Sequence, residues 1–235
     1  MKIKYKIPEN NSNEKFFFDG NKLILDIKLG KLVYSDFDSD SKEIFIAHKL
    51  QIIFPSEHYI TRNGITNRNI IELQIFHKLL STNQVLISHR KPVQINNAIV
   101  SILFNVGTVD EGDSFFNAMG ISKQNVDQDG VYNTPKKMEN LDHNPKQLPP
   151  ATYDVGFNYV ALQGLINLIN SNSEMFFYNG SLTTAPCNED VLWMIFGEPR
   201  TISKFQFDYL KKFMVMSNDT KKIVGSNKKI VVKIF

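Results

Sequence analysis

The sequence has few of the residues that build disulfides, membrane spans or export signals. It contains a single cysteine, Cys187, among 235 residues, so no intrachain disulfide can form and a reducing compartment is favoured. No run of about 18 apolar residues occurs, so we expect no membrane-spanning helix. The N-terminal residues 1–8 mix lysines with single apolar residues and lack the apolar stretch of a secretory signal. We therefore expect an intracellular location, with an organellar or cytoskeletal assembly as one option.

Several classes of function also lack their usual motifs. The formal net charge is only +3. The body of the chain shows no dense basic patch of the kind that binds nucleic acid. The glycines form no phosphate-binding pattern, and no serine lies in a nucleophile motif. Cys187 has no CxxC partner and is expected in a loop, not as a nucleophile. The sequence thus excludes the common nucleotide-binding, nucleic-acid-binding and serine-hydrolase patterns.

The chain does contain a succession of strand patterns, in a length that suits one all-β domain. Hydrophobic residues make up 42% and charged residues 22%, which are ordinary globular values. Helical spacing of apolar residues predicts two helices, over 160–169 and over 203–213, the second capped by Ser203. Apolar runs bounded by turn residues predict strands over 22–29, 31–34, 43–54, 70–80, 97–106, 191–196 and 229–235.

One segment, 117–153, interrupts this pattern with glycine, four prolines and many polar residues. We predict an irregular insertion there. Loops of this length in compact domains are usually functional or disordered, so a partner-binding element and a mobile insertion both stay open. We expect an N-terminal extension over 1–15 and one domain over 16–235.

Three segments resemble the active-site segments of the α-type carbonic anhydrases. They are Phe54-Pro55-Ser56-Glu57-His58, Glu72-Leu73-Gln74-Ile75-Phe76-His77 and Tyr178-Asn179-Gly180-Ser181-Leu182-Thr183-Thr184-Ala185-Pro186-Cys187. The resemblance covers about residues 16–235. It implies a mainly β fold, with a central twisted, largely antiparallel mixed sheet and short peripheral helices. It also implies a zinc site, because that family holds zinc with two histidines in a pattern close to FHFHxPSEH and a third in ELHxVH.

On this chain the three ligand positions fall on Gln51, Ile53 and Gln74. A catalytic zinc needs three protein ligands with available lone pairs, usually imidazoles, and it lowers the pKa of its bound water to about 7. Glutamine offers only a weak carbonyl oxygen, and isoleucine offers nothing. Without the metal, water keeps a pKa near 15.7 and supplies no hydroxide at neutral pH. We therefore predict a member with no metal, no cofactor and no enzymatic activity.

Neighbouring histidines are not expected to replace the lost ligands, because successive side chains of a strand point to opposite faces. If the ligand positions face the cavity, Lys49 does too and His48 faces away. By the same rule Phe76 faces the cavity and His77 lies opposite. No three histidines are predicted to converge.

The resemblance also marks residues that remain around the lost metal. In the family, the glutamate at Glu57 orients the threonine at Thr183, and the glutamate at Glu72 steadies the third ligand. We expect these residues to persist as a buried hydrogen-bond network and not as catalysts. Lys49 is hypothesised to pair with Glu57 or Glu72, replacing the charge of the metal. The family's proton-shuttle position falls on Asn21, and other pocket positions hold Lys49, Phe76, Thr184 and Trp193.

The sequence therefore predicts a catalytically inactive carbonic-anhydrase-like domain that serves as a structural or protein-interaction subunit of a larger assembly, with other protein subunits as partners. Two alternatives stay open: a residual carbonic anhydrase with a nonstandard metal site, and a module that binds polyanions or small anions. A polyanion would contact the lysines near the C-terminus, which are Lys211, Lys212, Lys221, Lys222, Lys228, Lys229 and Lys233.

Overall fold

Strands dominate the computed structural model of the chain. The structure describes residues 2–4, 15–19, 22–27, 31–35, 42–62, 65–67, 71–80, 87–88, 91–92, 95–108, 112–119, 121, 152–156, 162, 164–167, 174–183, 187–215 and 230–233. The described strands are β1 (Lys2–Lys4), β2 (Lys15–Asp19), β3 (Lys22–Asp26), β4 (Lys31–Ser35), β5 (Lys42–Ile53), β6 (His58–Arg62), β7 (Ile65–Asn67), β8 (Ile71–Leu79), β9 (Ile87–Ser88), β10 (Lys91–Pro92), β11 (Asn97–Gly107), β12 (Thr152–Gly156), β13 (Met175–Gly180), β14 (Val191–Phe196), β15 (Arg200–Ser203) and β16 (Ile230–Lys233). The helices are α1 (Ser114–Ala118) and α2 (Lys204–Val215), and residues 162 and 164–167 are also helical.

Eleven of the described strands form one mixed sheet. Its main path runs β12-β2-β3-β5-β8-β11-β14-β13, with β4 also paired to β5, β1 to β4 and β15 to β11. The pairing is antiparallel except where β11 meets β14 and β15. Within the described strands, β6, β7 and β16 form a smaller sheet, and β9 and β10 form a two-stranded ribbon. The expected fold class, mainly β with a largely antiparallel mixed sheet and short helices, is confirmed.

The main hydrophobic core covers one face of this sheet. Alternate residues of β5, β8 and β11, such as Leu50, Leu73 and Val100, are fully buried in it. Phe115 of α1 and Leu210 of α2 pack into the same cluster. The opposite face is less uniformly apolar, and it carries the residues that the sequence marks as a site.

Strand register sets these residues side by side in rows across β5, β8 and β11. One row joins Gln51, Gln74 and Ser101, and the next joins Ile53, Glu72 and Leu103. A third row, on the other side of the first, joins Lys49, Phe76 and Ile99, and continues through Trp193 to Tyr178. Because paired residues of neighbouring strands point to the same side, these rows share one face, here called the site face.

The predicted strands over 22–29, 31–34, 43–54, 70–80, 97–106, 191–196 and 229–235 correspond to β3, β4, β5, β8, β11, β14 and β16, with ends shifted by a few residues. The second predicted helix is α2, and Ser203 caps it by accepting the N–H of Gln206 at 3.1 Å. The ends of the predicted insertion belong to α1 and β12, while residues 122–151 lie outside the described part of the chain. Lys2–Lys4 of the predicted N-terminal extension pair with β4. No described helix is both long and apolar enough to cross a membrane.

Candidate functional site

A glutamine pair occupies the ligand positions on the site face. The Nε2 of Gln51 donates to the Oε1 of Gln74 at 2.5 Å, directly across β5 and β8. The Nε2 of Gln74 donates in turn to Glu57 Oε2 at 3.0 Å and to Glu72 Oε1 at 2.9 Å. Both donors and the oxygen of Gln74 are therefore engaged, and its amide has a fixed orientation. Gln51, Gln74, Glu57 and Glu72 are here called the amide–carboxylate cluster.

Glu72 is the most completely bonded member of this cluster, and its side chain is fully buried. Its Oε1 lies 2.7 Å from His58 Nδ1 and accepts from the Ser101 hydroxyl at 2.6 Å. Its Oε2 accepts the main-chain N–H of Glu57 at 2.8 Å and lies 3.0 Å from the hydroxyl of Ser56. The turn at 55–58 thus delivers main-chain and side-chain donors to one carboxylate, as a buried charge requires.

This environment sets the ionisation of Glu72. Burial raises the pKa of the carboxyl, but the positive charge of His58 outweighs it, together with hydrogen bonds from His58, Ser101 and Gln74. The result is a pKa of about 2. Glu72 is therefore a carboxylate at neutral pH, and it acts as an acceptor for the groups around it.

His58 connects Glu72 to an aromatic wall. Because a carboxylate only accepts, Nδ1 carries a hydrogen, and Nε2 lies 2.8 Å from the hydroxyl of Tyr178. The His58 ring also packs against Trp193, with ring centroids 4.8 Å apart, and Tyr178 stacks on Trp193 at 6.0 Å. Burial raises the pKa of Tyr178, and the charges of Glu72 and Glu57 raise it further. Tyr178 therefore keeps its proton at neutral pH.

Gly180 lies against the rings of Tyr178 and Trp193, where a side chain would not fit. A Cβ at this position would lie 2.7 Å from the ring of Tyr178 and 3.2 Å from that of Trp193. The Nε1 of Trp193 donates to the carbonyl of Ser181 at 3.1 Å. The Tyr178-Asn179-Gly180-Ser181 motif is thus explained by aromatic packing and one indole hydrogen bond.

Apolar groups lie beside the amide–carboxylate cluster on the site face. Ile53 is buried at the second ligand position, and Phe76 packs with Ile99 and Trp193. The ammonium of Lys49 lies over the Phe76 ring, 4.0 Å from its centroid. The structure therefore gives Lys49 a cation–π contact, and its pairing with Glu57 or Glu72 stays a prediction.

One expectation about the histidines was wrong. The alternation rule placed His48 away from the cavity, but a register shift between Ala47 and Lys49 interrupts the alternation in β5. His48 is exposed, and its ring lies 6.4 Å from that of Phe76. A bulge of this kind lets two consecutive side chains reach the same side of a strand. His77 does lie on the core side as expected, fully buried, with Nδ1 3.3 Å from the carbonyl of Ala98.

The remaining predicted site residues are only partly described. Thr183 is half-buried, and in the described part of the chain the Glu57 carboxylate bonds to Gln74 and not to Thr183. Thr184 and Asn21 lie outside the described residues. Of the C-terminal lysines, Lys211 is exposed on α2, with its ammonium 5.8 Å from the Phe207 ring centroid. Lys212 and Lys233 belong to α2 and β16, and Lys221, Lys222, Lys228 and Lys229 lie outside the described residues.

The residues at the ligand positions do not fit a zinc ion. Gln74 directs its amide nitrogen, a donor without a usable lone pair, at two carboxylates, and its oxygen is bonded to Gln51. Ile53 offers only carbon. Among the described residues, no group of three His, Cys, Asp or Glu side chains is arranged to hold a metal ion. The cluster can bind and orient hydrogen-bonding groups, but it lacks the nitrogen ligands that zinc prefers.

Comparison with known proteins agrees with this fold. The family model for eukaryotic-type carbonic anhydrases matches residues 28–232, which is most of the chain. The chain belongs to the α-type carbonic anhydrase family. Its membership rests on the match over the whole domain.

Relatives within the family are distant. An α-carbonic anhydrase structure from Aspergillus oryzae superposes with a TM-score of 0.54 at 17% identity, covering 91% of this chain and 70% of that one. The α-carbonic anhydrase of Thermovibrio ammonificans, solved with the inhibitor sulfanilamide, has a TM-score of 0.54 at 18% identity, covering 91% and 71%. Dioscorin, solved with ascorbate, has a TM-score of 0.53 at 19% identity, covering 92% and 71%. At these identities the likeness establishes the fold.

Two curated relatives match this chain over a short stretch. Alpha carbonic anhydrase 3 of Arabidopsis thaliana is 47% identical over 38 residues, which are 16% of this chain and 14% of that protein. A Lottia gigantea relative matches over 38 residues, which are 10% of its length. The chain thus matches only about a tenth to a seventh of the length of these curated relatives.

Sequence reasoning missed the roles of four residues of the site. Ser56, His58 and Tyr178 belong to the segments that carry the family resemblance, but their bonds were not predicted. The bond of Tyr178 to His58 spans 120 residues, so no local pattern indicates it. Ser101 could have been found from register, because alternation along 97–106 puts it beside Gln74 once the two strands are paired.

Proposed function

We propose that this carbonic-anhydrase-like chain is non-catalytic and serves as a structural or protein-interaction subunit of a larger assembly. The main observation in support of a non-catalytic chain is the hydrogen bond between Gln51 Nε2 and Gln74 Oε1 at 2.5 Å. It joins two of the three ligand positions to each other. The third position, Ile53, is buried and apolar.

The chemistry of the cluster supports the absence of hydration activity. Hydration of carbon dioxide at neutral pH needs a hydroxide, which this family obtains from a water acidified by zinc. The carboxylates that remain, Glu57 and Glu72, accept hydrogen bonds from Gln74. Glu72, with a pKa of about 2, is too weak a base to generate hydroxide from a water of pKa near 15.7.

The extent of the preserved fold supports the second half of the proposal. The sheet, its core and the hydrogen bonds of Glu72 are those of a packed domain, although the ligand positions have changed. A rigid domain with a large surface suits a role in an assembly, because binding then costs little ordering of the chain.

Zinc content and carbon dioxide hydration test the loss of catalysis. The purified full chain is incubated with zinc, desalted and analysed by elemental mass spectrometry, and hydration is followed by stopped flow. We expect less than about one tenth of a zinc per chain and no rate above buffer. The matched variant Gln51→His, Ile53→His, Gln74→His is expected to retain about one zinc, which shows that the assay detects a restored site.

Two outcomes would contradict the proposal. About one tightly held zinc in the unaltered chain, with hydration above the buffer rate, would make the chain an enzyme. Migration of the native chain as a lone monomer, in extracts where known assemblies stay intact, would remove the assembly role. Native electrophoresis followed by mass spectrometry of the excised band reads out the second point.

A further inference from the structure

Exposed side chains lie on interior strands at the far end of the site face. Register places Lys31 of β4, Ile46 of β5 and Lys78 of β8 in one row, next to the row of Lys49 and Phe76. Lys31 and Lys78 are exposed and Ile46 is half-buried. Leu80 follows β8 with its main-chain N–H bonded to the carbonyl of Ile44, and 56% of its surface is exposed. This end of the sheet thus presents two exposed lysines together with an exposed leucine and a half-buried isoleucine among the described residues.

The bulge in β5 adds two more basic side chains to this end of the face. His48 is exposed and Lys49 half-buried, and both lie against the ring of Phe76. The acidic residue paired with this region is Asp26, which lies opposite Lys49. Asp190 is a second acidic neighbour, since its carboxylate binds the side chain of Asn97, which pairs with Lys78. Among the described residues, the three lysines outnumber these two aspartates. Lys31, Ile46, His48, Lys49, Lys78 and Leu80 are here called the basic strip.

The titration of His48 is consistent with a positive potential on the strip. Partial burial lowers the pKa of His48, and the charges of Lys49 and Lys78 lower it further, against an opposing effect of Asp26. A partner that brings negative charge to the strip would relieve this repulsion. The pKa of His48 is therefore expected to rise when a negatively charged partner binds to the strip.

The lysines of the strip have no role in protecting a sheet edge. Lysines often occur on edge strands, where they prevent pairing with another chain. Lys78, however, lies on β8, which is paired on both sides, with Ile46 of β5 and Asn97 of β11. Its charge therefore faces outward from the middle of a sheet, where it can meet a ligand placed on the face.

We propose that the basic strip binds an acidic protein segment that carries apolar side chains between its carboxylates. The lysines attract the carboxylates, and Ile46 and Leu80 provide apolar surface for the side chains between them. A sulfated glycan or a nucleic acid would satisfy the lysines alone and leave Leu80 without a partner. This inference rests on the proposed interaction role and names the chemistry of the partner and the surface that it uses.

Fluorescence anisotropy of labelled peptides on the full chain tests the proposal. The probe is a short peptide of glutamates interspersed with leucines, compared with a peptide in which serine replaces each leucine. We expect saturable binding of the first peptide and at least about tenfold weaker binding of the second. Lys31→Glu combined with Lys78→Glu is expected to weaken binding of the first peptide at least about tenfold, and Leu80→Ser about threefold to tenfold.

The matched control is Lys211→Glu, which reverses an exposed lysine on α2 and is expected to change affinity less than about twofold. Bound peptide should also raise the pKa of His48, read from its ring resonances by NMR. Neither saturable peptide binding nor a rise in the pKa of His48 would be seen if the strip were merely a solvated surface.

Three results would overturn the proposal. They are no saturable binding of the glutamate–leucine peptide, equal loss of affinity in Lys211→Glu, or heparin binding that matches the peptide while Leu80→Ser has no effect. The last result would identify a general polyanion surface. These failures leave the zinc and hydration results unaffected, whereas a zinc-loaded, active chain with intact peptide binding would overturn the loss of catalysis alone.

Discussion

Two buried glutamines, Gln74 and Gln206, each centre a hydrogen-bond network, but they differ in how much main chain they bind. Gln206 accepts the main-chain N–H of Asp113 at 2.7 Å and donates to the carbonyls of Asp113 at 3.0 Å and Ile121 at 3.2 Å. Its one side-chain acceptor among the described residues is Asn117 Oδ1, at 2.9 Å. Gln74 bonds to the side chains of Gln51, Glu57 and Glu72. The first network ties α1 and the segment after it to α2, whereas the second ties side chains to one another across the site face.

The surroundings of the two glutamines differ in the same way. Gly112, with φ at +69°, passes so close to Gln206 that an added Cβ would lie 2.4 Å from its amide. Asp113 caps α1 through Phe115 and binds Arg200 at 2.6 Å. Gln206 therefore holds two main-chain segments together, whereas Gln74 orders side chains on the site face.

The largest effect is expected from Gln74→Glu, which would place a third carboxylate against Glu57 and Glu72. Both hydrogen bonds from Gln74 Nε2 would be lost, and a buried charge would gain no partner. We expect a loss of about 4 to 5 kcal/mol in the free energy of unfolding at pH 7.5, measured by urea denaturation. Because the new carboxyl would have a raised pKa, part of this loss should be recovered as the pH falls towards 5.

Gln74→Met is the matched variant, since it removes the same hydrogen bonds without adding charge. It should be more stable than Gln74→Glu at pH 7.5, and its stability relative to the unaltered chain should change little between pH 7.5 and 5. Equal stability of the two variants at both pH values would show that charge at Gln74 is unimportant.

Gln206→Leu should cost more than Gln74→Met, because it leaves main-chain groups unpaired inside the protein. The N–H of Asp113 and the carbonyl of Ile121 cannot find another partner without moving α1 or α2. At about 1 to 3 kcal/mol for each buried unsatisfied group, we expect a loss of about 3 to 4 kcal/mol in urea denaturation. A smaller loss than in Gln74→Met would show that the bonds of Gln206 to main chain contribute less to stability than the side-chain bonds of Gln74.

The pH dependence of folding should report Glu72. Its pKa is about 2 in the folded chain against an ordinary value of 4.5. Its contribution to stability is therefore complete above about pH 4.5 and is lost as the pH falls through 2. We expect this contribution to be about 3 kcal/mol. In acid unfolding monitored by circular dichroism, Glu72→Gln should show a shallower loss of stability below pH 4.5, whereas Glu189→Gln, an exposed control, should follow the unaltered chain.

The smallest effect is expected at Lys49, whose ammonium lies over the Phe76 ring. Lys49→Met keeps the apolar stem and removes the cation–π contact, so we expect a loss of about 0.5 to 1 kcal/mol. A loss above about 2 kcal/mol, decreasing as salt is raised, would instead indicate that Lys49 pairs with a carboxylate of the amide–carboxylate cluster. Thermal unfolding at two salt concentrations distinguishes the two.

The central strands were predictable because the signals that indicate them lie within each strand's own sequence. Runs such as 97–106 are apolar, of strand length, and bounded by turn residues, so β5, β8 and β11 could be found without partners. Strand β13 was missed because its six residues follow a polar stretch and show no clear alternation. The bulge at His48 was also invisible, since it is a property of how β5 pairs with β8 and not of either strand alone.

That the predicted site residues lie close together could be expected from the sequence, but their bonding could not. The motifs around Glu57 and Glu72 and strand alternation predicted Gln51 and Gln74 on one face, and the two are paired there. That their amides bond to each other depends on register between two strands, which the sequence of one strand does not contain. The bond between His58 and Tyr178 joins residues 120 positions apart, so only the folded chain reveals it.

The many donors around Glu72 have a consequence for substitutions at positions 51, 53 and 74. A carboxylate with a single donor from one of these positions would be left uncompensated when that residue was exchanged. Glu72 receives a main-chain N–H from Glu57 and a hydroxyl hydrogen from Ser101, neither of which comes from those positions. The buried charge therefore keeps these two donors whichever neutral side chains stand there.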